Sequence, residues 1–177
     1  ATAFGSGNIN VTSGAVIDLN GQTMTSTGGL TLNGTGISSG GALANSNASA
    51  ASYAGLLTLG SNSSIGASLG SVTLSNTGTI TGAGYGLTLL GSGGGTIASI
   101  LGTGTGTLTK SGTGTWTLSG ANTYSGNTTI SGGVLSLNVG SDFTTAAVSP
   151  TAAGAKLLVN GGTFTASLAS QILNASA

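Results

Sequence analysis

The sequence contains no glutamate, arginine, histidine or cysteine. Its whole charged inventory is Asp18, Lys110, Asp142 and Lys156, which is 2% of 177 residues with a net charge of zero. An ordinary soluble domain carries about 25% charged residues. Each absence removes a class of function. Without cysteine there is neither a disulfide framework nor a thiolate metal site. Without histidine or glutamate, general acid–base chemistry near neutral pH has lost its usual groups. Glycoside hydrolysis needs two carboxylates about 5 to 10 Å apart, and the only pair, Asp18 and Asp142, is far apart in sequence. A serine nucleophile needs a base beside it, and two lysines are a poor supply. Repeated calcium turns need carboxylate ligands at each turn. Nucleic acid would need a basic patch. The expectation is a protein that is not an enzyme, with no catalytic, metal or cofactor-binding residue, no cofactor and no nucleic-acid partner.

Two further scarcities bear on export. No apolar run is long enough to cross a bilayer as a helix, so no transmembrane helix is expected. The start, ATAFGSG, has neither a basic head nor an apolar core and does not read as a signal peptide. Beginning without Met, the chain reads as a processed or excerpted product.

What is abundant is glycine, with 35 residues, and serine and threonine. Glycine, serine and proline in such numbers suit low-complexity disorder. Against this, the leucines, isoleucines and valines recur in alternating strings, and there is almost no charge to keep a disordered chain solvated. The core is thin for a sphere of this length. A solenoid needs only a narrow apolar column, because each coil packs on its neighbours.

The clearest string runs from Thr107 to Leu137. Trp116, Leu118, Tyr124 and Ile130 fall on even positions, with Thr113, Thr115 and Thr117 between or beside them. A period of two puts alternate side chains on opposite faces of an extended chain. The first set is therefore expected inside and the threonines outside. The turn at Ser131, Gly132 and Gly133 shifts the parity by one, so that Leu135 and Leu137 become the inward pair. Earlier in the chain, Ile9 and Val11, Ile17 and Leu19, and Leu30 and Leu32 alternate in the same way, punctuated by Asn20-Gly21 and Asn33-Gly34. The series resumes with Leu57, Leu59, Ile65, Leu69, Val72, Leu74, Ile80, Leu87, Leu89 and Ile97. An Asn-Gly pair ordinarily argues for a tight hairpin, but turns at such short and regular intervals fit the corners of a coil equally well. A β-sandwich is the structural rival.

The run GTGTLTKSGTGTWTLSGANTYSGNTTISGGVLSL, Gly104 to Leu137, resembles the passenger-associated repeat of bacterial autotransporters, the autotransporter-associated beta strand repeat. Its GTxTLSGxNTYSGxTTI core carries the likeness. Gly5 to Thr23 and Gly34 to Ser46 resemble the spacers between such repeats more loosely. The resemblance implies a right-handed parallel β-helix, export, and an extracellular role as stalk, adhesin or coat. It implies no catalytic site, and the translocator barrel of the family is not in this sequence.

On that reading residues 1–177 form a single all-β solenoid segment, a parallel β-helix of short strands with Gly- and Asn-rich corners. Its repeat-like core is 104–138, and irregular loops are expected at about 40–55 and 141–155, the latter holding Pro150, which cannot donate to a ladder. About fifteen strands, three per coil of about 25 to 30 residues, give six or so coils. At roughly 4.8 Å per rung they make a rod on the order of 30 Å long. Lys156 to Ser167 is expected to return to strand, turn at Asn160, Gly161 and Gly162, and strand, ending around Phe164 and Leu168. Only the last ten residues could take a helix.

Three binding features are open. The rows Thr103, Thr105, Thr107, Thr109 and Thr113, Thr115, Thr117 are similar to the flat threonine arrays of ice-binding solenoids, although threonine is also the favoured outward residue of a strand. Trp116 and Tyr124 could stack on a sugar, but their parity points them inward. Six N-x-S/T sequons, at Asn10, Asn33, Asn47, Asn62, Asn127 and Asn174, are close to the number chance gives. The expected partners are the chain itself, by end-to-end stacking or neighbouring repeats, and surface glycans, at a bacterial cell surface. With no group but the chain terminus expected to titrate between about pH 5 and 9, stability is expected to be nearly flat over that window and indifferent to chelator.

Overall fold

The computed structural model describes residues 5, 7–138, 142–145, 147–161 and 163–166, the strands 142–145 and 163–166 by their backbone. The chain is a parallel β-solenoid of about seven turns. Alternating apolar residues between small-residue corners make short strands. Each strand lies beside its counterpart one coil away, so the rest of the coil serves as the crossover that parallel pairing requires.

Three strands make a typical coil. On the first side lie Ile9–Val11, Leu30–Gly34, the first part of Leu57–Ala67, Thr79–Thr81 and Ile100–Gly102. On the second lie Ile17–Asp18, Leu43–Asn45, the second part of Leu57–Ala67, Leu87–Leu90, Leu108–Lys110, Thr128–Ile130 and Val148–Pro150. The eleven-residue strand Leu57–Ala67 serves both sides and joins them into one sheet. The third side is a sheet of seven strands, from Thr23–Met24 through Ala51–Tyr53, Val72–Leu74, Gly95–Ile97, Thr115–Leu118 and Val134–Asn138 to Lys156–Asn160. A further parallel pair joins Asp142–Thr145 to Thr163–Ala166.

The register stacks like on like. Leu74, Ile97, Leu118 and Leu137 form one inward file on the third side, and all four are buried. Beside it runs Val72, Gly95, Trp116 and Leu135. A Cβ on Gly95 would lie 2.8 Å from the Trp116 ring, so the small residue makes room for the indole above it. Tyr124 and Ile130 are also buried, Thr113 and Thr115 are exposed, and Thr117 is half-buried. The period-two reading of this stretch therefore holds.

The structure corrects the reading elsewhere. The later coils are tighter than expected: Leu87, Leu108, Thr128 and Val148 hold the same position in successive coils, and the chain between them is shorter than the coil length inferred from the turns. The first coils, from Ile17 to Leu43, Thr23 to Ser52 and Leu30 to Leu57, have the expected length. Twenty strands are seen among the described residues, not fifteen. Residues 40–55 are not an irregular loop, because Leu43–Asn45 and Ala51–Tyr53 are full rungs. Small residues suffice there because the strands are buried between neighbours.

Residues 141–155 likewise carry the strands Asp142–Thr145 and Val148–Pro150. Pro150 pairs opposite Ile130, and the N–H of Thr151 donates to the Ile130 carbonyl at 2.9 Å. Successive N–H groups of a strand point to opposite sides, so the missing donor of Pro150 faces away from that neighbour and breaks nothing. Leu69, read as part of a strand, lies in a corner and is 64% exposed. Asn20 and Gly21 have φ of 46° and 70°, the left-handed pair that a hairpin turn uses. Here they turn a corner between Ile17–Asp18 and Thr23–Met24, which do not pair with each other. Leu168 and the last ten residues lie outside the described residues.

Candidate functional surfaces

With the interior accounted for, any function rests on the corners, the outward files and the ends. The first corner worth building is that of Asp18. Its carboxylate accepts hydrogen bonds from the N–H of Asn20 at 2.9 Å, from the N–H of Ser46 at 3.1 Å and from the Ser46 hydroxyl. Partial burial pushes its pKa up, but the Ser46 and Asn20 donors outweigh this and hold it below the usual value. The group works as a bridge between two coils. Asp142 lies in a strand whose side chains are outside the described residues, so the pairing of the two carboxylates is not placed.

Next to Ala44, which stands opposite Asp18, is Asn45, fully buried. Its Oδ1 accepts from the N–H groups of Gly21 and Asn47, at 2.9 and 3.2 Å. Its Nδ2 donates to the carbonyls of Ser49 and Ser71, at 2.8 and 3.0 Å. One amide thus ties three successive coils. Asn122 does similar work in the repeat-like core, accepting from the N–H of Leu101 at 2.9 Å and donating to the Gly120 carbonyl at 2.8 Å. Sequence reasoning missed both. The available signal was an asparagine beside small residues at a corner, which a polar buried role shares with an ordinary turn.

Lys110 is the larger omission. It lies at an inward position, opposite Leu89 in one coil and Ile130 in the next, and no part of it is exposed. Its Nζ donates to the carbonyls of Ser111, Gly112 and Gly132 at 2.8, 2.9 and 3.1 Å. Burial brings its pKa down to about 8. That value lies inside the window expected to be silent, so a slope in stability is now expected at the alkaline end of the pH 5 to 9 range. The signal available in the sequence was the even parity of Lys110, shared with Trp116 and Leu118.

The two aromatic candidates for sugar stacking, Trp116 and Tyr124, are both buried. The Tyr124 hydroxyl pairs with Thr128 Oγ1 at 2.8 Å, and burial raises its pKa. Trp116 Nε1 finds no hydrogen-bond partner among the described residues. Neither ring offers a face to a ligand.

The threonine rows also change character. Thr103 is buried, and Thr105 and Thr107 belong to a corner where Gly104 has φ of 63°. Rows along the chain do not form a flat array there. Across the strands, however, the third side carries a file of hydroxyls in register, Thr23, Ser52, Thr73, Thr96 and Thr117, which continues to Ser136, itself buried, and then to Leu158. The file beside it passes from Thr115 to Val134 and Lys156, so the hydroxyl array is one residue wide at that end. A second outward file, Thr88, Thr109, Thr129 and Ser149, runs on the second side. Among the sequons, Asn33 donates to Asn10 Oδ1 and to the Val11 carbonyl, and Asn174 lies outside the described residues.

Comparison with curated proteins and with solved structures found no match. Residues 108–137 match the family described as Passenger-associated-transport-repeat, and with the parallel β-solenoid around them this segment fits an autotransporter passenger repeat.

Proposed function

We propose that the chain is a non-catalytic extracellular module, structural or adhesive, a segment of a bacterial surface stalk, coat or fibre that associates end to end. A passenger repeat goes with an extracellular or surface-exposed passenger. The observation that carries the structural part is the state of the coil edges. Ile9–Val11, Ile17–Asp18 and Thr23–Met24 each have a partner strand on one side alone among the described residues. At the other end of the third side, Lys156–Asn160 pairs only with Val134–Asn138 within its sheet, and Leu158 and Val159 are 47% and 43% exposed. Unpaired strand edges recruit other strands. Of these edges, Ile9–Val11 and Thr23–Met24 carry no charge to guard them, while Asp18 and Lys156 put a single charge on each of the other two. Further coils of a longer polypeptide or other copies of this chain would meet them.

The uncharged outward files support the same reading. Stacked like charges repel, whereas threonine and serine hydrogen-bond along a column. Net charge near zero favours association over solubility. Light scattering over a concentration series tests the proposal. The expected result is mass that grows with concentration, and a folded monomer of constant mass would overturn end-to-end association.

A second reading, a carbohydrate- or ice-binding solenoid, rests on the hydroxyl file from Thr23 to Thr117. Surface glycans are the partner it implies. The burial of Trp116 and Tyr124 and the single-residue width beside Val134 favour the first reading.

A further inference from the structure

We propose that Lys110 is a latch between two successive coils, and that the corner it enters is built to receive the N–H donors of a primary amino group. The file it occupies is otherwise apolar: Leu43, Ile65 and Leu89 precede it, and Ile130 and Pro150 follow. A leucine or isoleucine therefore fits such a position, and packing alone does not call for a lysine. What differs is the corner. Gly91, Gly112 and Gly132 approach backbone to backbone here. A Cβ on Gly112 would lie 2.6 Å from the Gly91 carbonyl oxygen, and one on Gly132 would lie 2.9 Å from that of Gly112.

This close stacking gathers carbonyls that strand pairing does not reach. The Gly91 carbonyl receives the N–H of Gly114 at 3.0 Å. The carbonyls of Ser111, Gly112 and Gly132 receive the three donors of the Lys110 ammonium instead. Ser111 and Gly132 are half-buried and Gly112 is exposed. An ammonium group, with three N–H bonds and no acceptor, supplies each of their carbonyls with a charge-assisted donor. Number and kind match. Two of the carbonyls belong to the lysine's own corner and one to the next coil, so the ammonium group fastens one to the other. The third-side strands Thr115–Leu118 and Val134–Asn138 leave from these two corners. The latch therefore fixes where Trp116 meets Leu135.

Chemical rescue tests this. In Lys110→Ala, amide exchange at 111–114 and 131–134 should be at least about tenfold faster than in the parent chain, relative to exchange at Leu57–Leu59. Added n-propylammonium supplies the missing carbons and all three donors, and should restore slow exchange. Tetramethylammonium carries the same charge with no N–H and should not. Equal action of the two ions, or no action by either, would overturn the proposal. Should Lys110→Ala fail to fold, Lys110→Met keeps the apolar file and tests the same point: faster exchange confined to the two corners supports the latch, and exchange at the parent rate overturns it.

Discussion

At the scale of single residues, the interior is decided by parity and by volume, and the one charged member of it has a measurable consequence. Gly95 is small where Trp116 is large, and the file around them alternates accordingly. Lys110 breaks the apolar rule because three carbonyls receive it, yet burial still depresses its pKa to about 8 from an ordinary 10.5. The folded chain therefore releases this proton before the unfolded chain does. Between about pH 8 and 10 the unfolded state binds more protons, so stability rises with pH there and is flat below. Burial acts on Tyr53 and Tyr124 in the opposite sense, raising both above the ordinary 10.0. Their contribution is complete below about pH 10 and is lost above it, as the unfolded tyrosines ionise. Thermal melts should pass through a maximum near pH 10, with the rising limb absent in Lys110→Met. A melting temperature that falls steadily from pH 8 upwards would show that the three carbonyls hold the proton more strongly than burial expels it.

At the scale of elements, strands were legible and corners were not. Alternation in Trp116, Leu118, Ile130, Leu135 and Leu137 reports directly on which side of a strand is covered, because a slip of one residue would turn every side chain over. The same logic failed for residues 40–55. There the strands Leu43–Asn45 and Ala51–Tyr53 are built from small residues with little apolar contrast, and their burial comes from the coils on either side. Nor could alternation identify Asn45, whose role depends on Gly21 and Ser71 in other coils. Pro150 misled for a related reason, since the side to which its N–H would point is a property of register. Of the candidate surfaces, the inward placement of Trp116 and Tyr124 was legible. The outward hydroxyl file was not, because each of its members belongs to a different coil and the register alone brings them together. Asn45 supplies the test at this scale. Asn45→Ala strips an acceptor from two N–H groups and a donor from two carbonyls in a buried site. At about 1 kcal/mol for each lost hydrogen bond, urea unfolding should show a loss of about 2 to 4 kcal/mol. A loss below about 0.5 kcal/mol, less than one ordinary hydrogen bond, would mean that water replaces the amide and that the corner is not held by it.

The whole molecule is a stack in which each coil touches only the coils before and after it, so its stability is nearest-neighbour in character. Leu87–Leu90 and Leu108–Lys110 have paired strands on both sides. Ile9–Val11 and Thr23–Met24 have one neighbour each among the described residues. A compact domain unfolds as a unit, but a stack of this kind opens from its ends, and local opening free energies grade from near zero at the edges to the global value inside. Amide exchange should therefore be slowest across Leu87–Lys110 and fastest in Ile9–Val11, Thr23–Met24 and Lys156–Asn160. End-to-end association adds a distinct signature. When one copy's open coil pairs with another's, the outer strands acquire the neighbour they lack, while the interior strands gain nothing. Raising the protein concentration should then slow exchange in the outer strands alone. Outer strands that exchange at one rate across the whole concentration range would leave the coil ends unpaired in solution, and the assembly reading would lose its physical basis while the gradient along the stack remained.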